Sequence, residues 1–141
     1  MTKEFDVEIL TPVQTLFAGK ATEVVLPAYD GEVGVLADHS NFIGLLGTGA
    51  LKIVTDGDDY WYMLSSGVYE VRGGKLTILA ELGESPEAVN DVDALNIRRK
   101  ELEAAMGDIK VVTPGQYPLL KKEYDQIRAR LEIHRRTELV N

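Results

Sequence analysis

The chain has 141 residues, of which 45% are hydrophobic, enough for one packed domain or a domain with a small appendage. It has no cysteine and only two histidines, which excludes disulfide frameworks and thiolate metal sites and leaves little for a histidine-based metal centre. A formal net charge of −8 argues against nucleic acid as a main partner, because affinity for phosphate comes from clustered lysine and arginine.

The charge is unevenly distributed along the chain. Residues 1–90 carry 14 acidic and 5 basic side chains, whereas residues 91–141 carry 9 and 10. This asymmetry indicates two functionally different parts, which we assign to residues 1–85 and 86–141. No apolar run approaches the roughly 20 residues that span a bilayer, and the first residues lack a signal or transit pattern. We therefore expect a protein that is neither exported nor membrane-spanning.

The first part shows the two-residue period of β-strands. Phe5, Val7 and Ile9 alternate with acidic residues, which is typical of a strand with one buried face. The pair Gly73-Gly74 predicts a type I′ hairpin between two later strands. Short strands at this spacing predict an antiparallel β-sandwich of about ten strands. The candidate strands are 5–9, 14–18, 23–28, 32–36, 42–46, 51–55, 60–65, 68–72 and 75–81, with turns between them at 30–31, 47–49, 56–57 and 73–74.

After residue 86 the period becomes that of a helix. Asn90 is the predicted N-cap of a first helix, with Asp93 completing an imperfect capping box, and Gly107 its end. Pro118 suits the first turn of a second helix of about 22 residues, and residues 107–117 form the connection. The apolar stripes are Val92, Leu95, Leu102 and Met106, then Leu120, Tyr124, Ile127, Leu131 and His134.

The predicted fold class is therefore α+β, a sandwich followed by an antiparallel two-helix hairpin. The hairpin offers too few apolar side chains to offset the entropy of ordering about 40 residues at roughly 1–2 kcal/mol each. We expect its helices to pack on the sandwich, on another subunit, or on each in turn.

Catalytic chemistry is poorly represented. Asp38-His39-Ser40 contains the residue types of a catalytic triad, but adjacent strand residues point to opposite faces and cannot relay a proton. The chain has no Gly-rich phosphate-binding sequence. A hydrolase that uses Asp38-His39-Ser40 is a third-ranked interpretation, which a His39→Ala activity assay would test.

Two features exceed what a plain sandwich needs. Residues 60–64 are apolar on both faces of their strand, so one face, Trp61 with Met63 or Tyr60 with Tyr62, must be covered by the hairpin or by a partner. The last helix also carries bases that suit an acidic partner surface. These bases are Lys121, Lys122, Arg128, Arg130, Arg135 and Arg136.

Four segments in order resemble the epsilon subunit of F-type ATP synthases. They are residues 7–12, residues 31–36 followed by His39, residues 65–71 and residues 76–80. The resemblance implies a noncatalytic rotor subunit that binds the gamma subunit and the c-ring and couples proton flow to ATP synthesis. It implies a c-ring contact at Glu32, Gly34 and His39. We add the hypothesis that Trp61 and Met63 face gamma.

The resemblance also implies a regulatory hairpin. When extended, its last helix would meet acidic segments of the beta subunits and inhibit ATP hydrolysis. The residues that bind ATP in some members correspond to the stretch 89–94, where Asn90 and Asp93 replace the usual acid and arginine. We therefore expect no cofactor and poor ATP binding.

The resemblance further implies a peripheral location on the cytoplasmic face of a bacterial inner membrane. The alternative is a free-standing ligand- or ATP-sensing regulatory module with no rotary partner. A mild pull-down distinguishes the two, because gamma or c subunits would accompany a rotor subunit.

Overall fold

A computed structural model of the chain describes residues 3–108 and 113–140. Seven strands come first, then a short 3-10 turn at Pro86–Ala88, then two helices. The strands are β1 Phe5–Leu10, β2 Thr15–Ala21, β3 Glu23–Ala28, β4 Gly31–Val35, β5 Phe42–Val54, β6 Asp59–Arg72 and β7 Lys75–Glu84. The helices are α1 Val92–Met106 and α2 Tyr117–Val140. This succession confirms the predicted order of a sheet part followed by a helical hairpin.

The strands form one hydrogen-bonded sheet in the order β2-β1-β7-β6-β5-β3-β4. Five of the neighbouring pairs are antiparallel, as predicted, but β1 and β7 run parallel, with Asp6 opposite Lys75. The expectation of a purely antiparallel sandwich is therefore wrong for this pair. Sequence periodicity reports which face of a strand is buried and carries no information on which distant strand lies beside it.

A single core lies between the two ends of this sheet. Buried side chains of β1, such as Ile9, and of β3, such as Leu26, belong to one cluster although their strands are far apart in the sheet. The sheet must therefore fold over onto itself, which gives the two layers of a sandwich. Leu64, Ile78 and Leu51 on the central strands complete the cluster.

The number of strands is seven, not about ten. Residues 47–49, predicted as a turn, lie inside β5, and the boundary predicted near Ser66 lies inside β6. Ser66 and Gly67 have φ values of 62° and 133°, and Ser66 is unpaired in a register that otherwise continues unchanged against both neighbouring strands. Two consecutive residues with positive φ kink the strand without ending it. Two long bent strands thus replace four short predicted ones.

The kink at Ser66 and Gly67 also changes which residues of β6 face the core. Before it, Leu64 is in the core while Met63 and Ser65 face outwards; after it, Tyr69 is in the core and Val68 faces outwards. The two positive φ values shift the alternation by one although no residue is inserted, so both halves of β6 keep an apolar inner face.

The helices begin near the predicted positions. Asp91 caps α1, because its Oδ1 accepts a 3.0 Å hydrogen bond from the Ala94 amide, so the prediction of Asn90 is wrong by one residue. Both residue types are good N-caps, and pattern alone does not separate neighbours. Pro118 lies in the first turn of α2, as predicted. Part of the predicted connection, residues 109–112, lies outside the described residues.

The hairpin is held together by both polar and apolar contacts. Arg98 of α1 donates two hydrogen bonds of 2.9 Å to Glu123 of α2, and the Tyr124 hydroxyl donates one of 2.9 Å to Glu103. Leu102 is buried on α1. None of the described helices is long and apolar enough to cross a membrane.

Candidate functional site

The predicted c-ring residues lie at one end of the sheet. Glu32 and Gly34 are exposed on β4, the outermost strand of the sheet order. His39 follows in the loop after β4, where its amide donates a 3.1 Å hydrogen bond to the Leu36 carbonyl. Leu36 itself is 49% exposed. An edge strand has unpaired backbone groups along one side, so this end of the sheet can offer both backbone and side-chain contacts to a partner.

The structure gives His39 no triad geometry. Its Nδ1 lies 2.7 Å from the backbone carbonyl of Ser40, not from the Ser40 hydroxyl. A nucleophile requires its hydroxyl within reach of the base. In residues 3–108 and 113–140, no group of three or more His, Asp or Glu side chains is placed to hold a metal ion.

Helix α2 covers the outward face of Met63. Met63 and Ile133 are fully buried and Ala129 is nearly so; together they form a second apolar cluster, outside the sandwich core. Trp61 packs at its edge, with the guanidinium of Arg136 5.3 Å from the centre of its ring. The doubled apolar face of this strand is therefore explained within the chain. In this conformation Met63 cannot contact another subunit.

Polar side chains extend the contact between α2 and the sheet. Arg130 binds Glu84 at the end of β7, and the Lys122 ammonium lies 3.9 Å from Glu81. Between them, Gln126 donates a 3.0 Å hydrogen bond to the hydroxyl of Ser65. Ser65 is only 1% exposed, and its hydroxyl also bonds to that of Thr48 at 2.9 Å. The helix is thus held to the sheet by both apolar and ionic contacts.

The six bases of the last helix do not form a single surface. Lys121, Arg128 and Arg135 are seven residues apart, so they lie on one side of the helix, and all three are exposed. Lys122, Arg130 and Arg136 contact Glu81, Glu84 and Trp61 of the sandwich. Lys122 and Arg136 are exposed as well, and of the six bases only Arg130 is half-buried while α2 lies on the sheet. The seven-residue spacing can be read from the sequence. It separates Lys121, Arg128 and Arg135 from the three bases that contact the sandwich.

A cleft of about 390 Å³ lies where the motif stretch before α1 meets α2. It is lined by Asn90, Asp91, Arg98, Glu123 and Arg130, among others. Both arginines already bind carboxylates: Arg98 binds Glu123 and Arg130 binds Glu84. Hydrogen bonds from Arg98 hold the pKa of Glu123 below its usual value, and burial opposes this shift. A phosphate group would have to displace these carboxylates.

A row of exposed apolar side chains, which the sequence did not predict, lies on the outer face of the sheet. Leu45 of β5, Val68 of β6 and Leu79 of β7 lie directly opposite one another across the three strands. Their exposed fractions are 59%, 38% and 48%, and Ile43 extends the row at 68%. A contiguous apolar surface of this kind marks an interaction site. The signal could not be found locally, because it depends on the register of three strands and on the kink in β6.

Comparison with known proteins identifies the family. The profile of the ATP synthase delta/epsilon chain β-sandwich domain matches residues 4–86. The ATP synthase epsilon chain of Nitratidesulfovibrio vulgaris is 35% identical over 99 residues, which cover 70% of this chain and 72% of the relative. That of Brevibacillus brevis is 37% identical over 98 residues, covering 69% and 74%. The chloroplastic epsilon chain of Tetradesmus obliquus is 38% identical over 104 residues, covering 72% and 76%.

Solved structures agree with this assignment at the level of the fold. A chain in the Euglena gracilis mitochondrial ATP synthase, in a structure of OSCP, F1 and the c-ring, superposes with a TM-score of 0.76 at 17% identity, covering 92% of this chain and 79% of that chain. A chain in the central stalk and c-ring structure of the Tetrahymena thermophila mitochondrial enzyme gives 0.59 at 13% identity, covering 92% and 95%. From the profile and the relatives, the chain belongs to the ATP synthase delta/epsilon family as an epsilon chain, a noncatalytic subunit of that complex.

Proposed function

We propose that this subunit works in the rotor of an F-type ATP synthase, where it couples proton flow to ATP synthesis and restrains ATP hydrolysis through α1 and α2. The observation that carries the second part is the position of α2. Its apolar side and three of its bases contact the sheet, while the other three bases make no contact with the sheet among the described residues. A helix held this way can exchange one binding surface for another.

The sandwich is the proposed anchor of the subunit in the rotor. Both structural neighbours come from assemblies that contain a c-ring. We assign the c-ring contact to the exposed end of β4, with Glu32 and Gly34 on the strand and His39 in the loop after it. Location follows from these partners: the chain would be peripheral, and in a bacterial cell it would lie on the cytoplasmic face of the inner membrane.

Two surfaces can contact gamma. The row of Leu45, Val68 and Leu79 is exposed in the described conformation. Met63 becomes available only if α2 leaves the sheet, because it is fully covered, whereas Trp61 is half-buried at the edge of the contact. Pull-down of gamma with the full chain separates these surfaces. We expect Leu45→Gln to weaken the complex while Leu119→Gln, at an exposed leucine on α2, leaves it unchanged. Unchanged gamma binding by Trp61→Ala would remove Trp61 from the interface.

Regulation is tested by removing the hairpin. A chain that ends after Glu87 keeps all seven strands and loses α1 and α2. We expect the truncated subunit to assemble into the complex and to raise its ATP hydrolysis rate above that of the complex with the full chain. An unchanged rate would contradict the inhibitory role. Absence of gamma and c subunits from a mild pull-down would instead favour a free-standing sensing module.

ATP is a weak ligand at most in this proposal. Asp91 and Glu123 add negative charge to the cleft, and Asp93 is exposed at the start of α1. A carboxylate near a triphosphate repels it, so bound ATP would not be the main influence on the position of α2. Isothermal titration of the full chain with ATP should show no submillimolar binding. A tighter complex would make nucleotide a regulator of the hairpin.

A further inference from the structure

Three polar residues of α2 contact the sheet at a regular spacing. Lys122, Gln126 and Arg130 are four residues apart, so they lie along one side of the helix. Their partners on the sheet are Glu81, Ser65 and Glu84 in turn. Two acidic residues of the sheet thus lie opposite two basic residues of the helix, with a neutral hydrogen bond between them.

Arg130 and Glu84 form the most protected of these contacts. Their side chains are 22% and 25% exposed, less than either side chain of any other arginine–carboxylate pair in the described residues. Partial burial weakens screening by water and salt, so such a pair contributes more than a surface pair. The acid lies on β7 and the base on α2, so the contact exists only while the helix is on the sheet.

We propose that Glu84, supported by Glu81, is an internal competitor for the bases of α2. The two acids occupy Arg130 and Lys122, which α2 would otherwise offer to an acidic surface of a neighbouring subunit. The identity of that neighbour rests on the proposed function, whereas the competitor itself rests on the contacts within this chain. Release of α2 then requires either loss of the charge at Glu84 or a stronger acidic surface elsewhere.

The bases of α2 that do not contact the sheet determine which step of this exchange comes first. Lys121, Arg128 and Arg135 are exposed while the helix is on the sheet, so they can attract an acidic surface first. Arg130, whose side chain is 22% exposed, changes partner only afterwards, whereas Lys122 is 46% exposed and accessible throughout. Two sets of bases on one helix thus separate the first encounter from release.

A buried thiol measures release of the helix in the isolated full chain. The chain has no cysteine, and Ala129 is 3% exposed in the cluster between α2 and the sheet. In an Ala129→Cys background, the rate of thiol labelling is proportional to the fraction of molecules whose helix has left the sheet. This readout detects release even when few molecules are open.

Glu84→Gln keeps the shape of the side chain and removes its charge. We expect it to raise the labelling rate about three- to tenfold, because a hydrogen bond between charged groups is about twice as strong as a neutral one. Asp125→Asn is the matched control: Asp125 binds only Lys121 of the same helix in the described contacts, and the rate should change less than about twofold. An unchanged labelling rate in Glu84→Gln overturns the proposal.

Changing the opposite member of the pair separates the competitor from the inhibitory role. Arg130→Gln breaks the same contact and should also raise the labelling rate. In the assembled complex, Glu84→Gln should strengthen inhibition of ATP hydrolysis because it frees Arg130, whereas Arg130→Gln should not. If both variants raise labelling and neither alters hydrolysis, the competitor stands and the inhibitory function falls. If neither raises labelling, the competitor falls whatever the hydrolysis rates.

Discussion

Gly67 shows how one residue sets the shape of the sheet. Its φ is 133°, and a Cβ there would lie 2.0 Å from the Leu79 carbonyl oxygen of the neighbouring strand. Gly67→Ala should therefore lower the free energy of unfolding by at least about 2 kcal/mol. Gly57→Ala is the control, because no atom lies within 4 Å of its added methyl group. Urea denaturation measures both, and equal midpoints would contradict this role of Gly67.

Glu123 gives the hairpin a dependence on pH. The hydrogen bonds from Arg98 place its pKa below the usual value in the folded chain. A carboxyl with a lowered folded pKa contributes stability above its unfolded pKa and loses that contribution as the pH falls through the folded value. The stability difference between the parent chain and Glu123→Gln should thus shrink as the pH falls below about 4. Thermal unfolding of both chains across this range measures it, and a constant difference would exclude the ion pair as its source.

At the scale of elements, the packing of α2 on the sheet depends on a few apolar side chains. Ile133 is fully buried against Met63, and this contact lies outside the sandwich core. Ile133→Ala should weaken binding of the helix to the sheet by about 2 kcal/mol or more while leaving unfolding of the sandwich unchanged. Hydrogen exchange resolved by segment can show this, with Leu119→Ala, 72% exposed, as the control. Loss of protection in β1 would show instead that the two parts unfold together.

Local sequence signals predicted where the helices and strands lie better than they predicted which strands pair with one another. Pro118 correctly marked the first turn of α2, since its ring and missing amide fit only there. The prediction of a turn at residues 47–49 is wrong, because glycine is favoured at bends inside a strand as well as in turns. The apolar row of Leu45, Val68 and Leu79 depends on cross-strand register, which no single segment encodes.

At the scale of the whole molecule, the hairpin shields an apolar face of the sheet in addition to its proposed regulatory role. Removal of residues after Glu87 uncovers Met63 and the face of Trp61. We expect the truncated chain to self-associate when no partner is present, because an exposed apolar patch tends to be buried again. Analytical ultracentrifugation should detect this association, and Met63→Gln in the truncated chain should reduce it. A monomeric truncated chain at all concentrations would show that this face is tolerated in water.

The parallel pairing of β1 with β7 has a consequence for biosynthesis. Asp6, near the start of the chain, lies opposite Lys75 of β7. One edge of β1 therefore stays unpaired until nearly the whole sandwich has left the ribosome. Closing so long a loop is slow compared with forming a local hairpin. The nascent chain therefore completes its sheet only when β7 emerges, ahead of the segment that becomes α1.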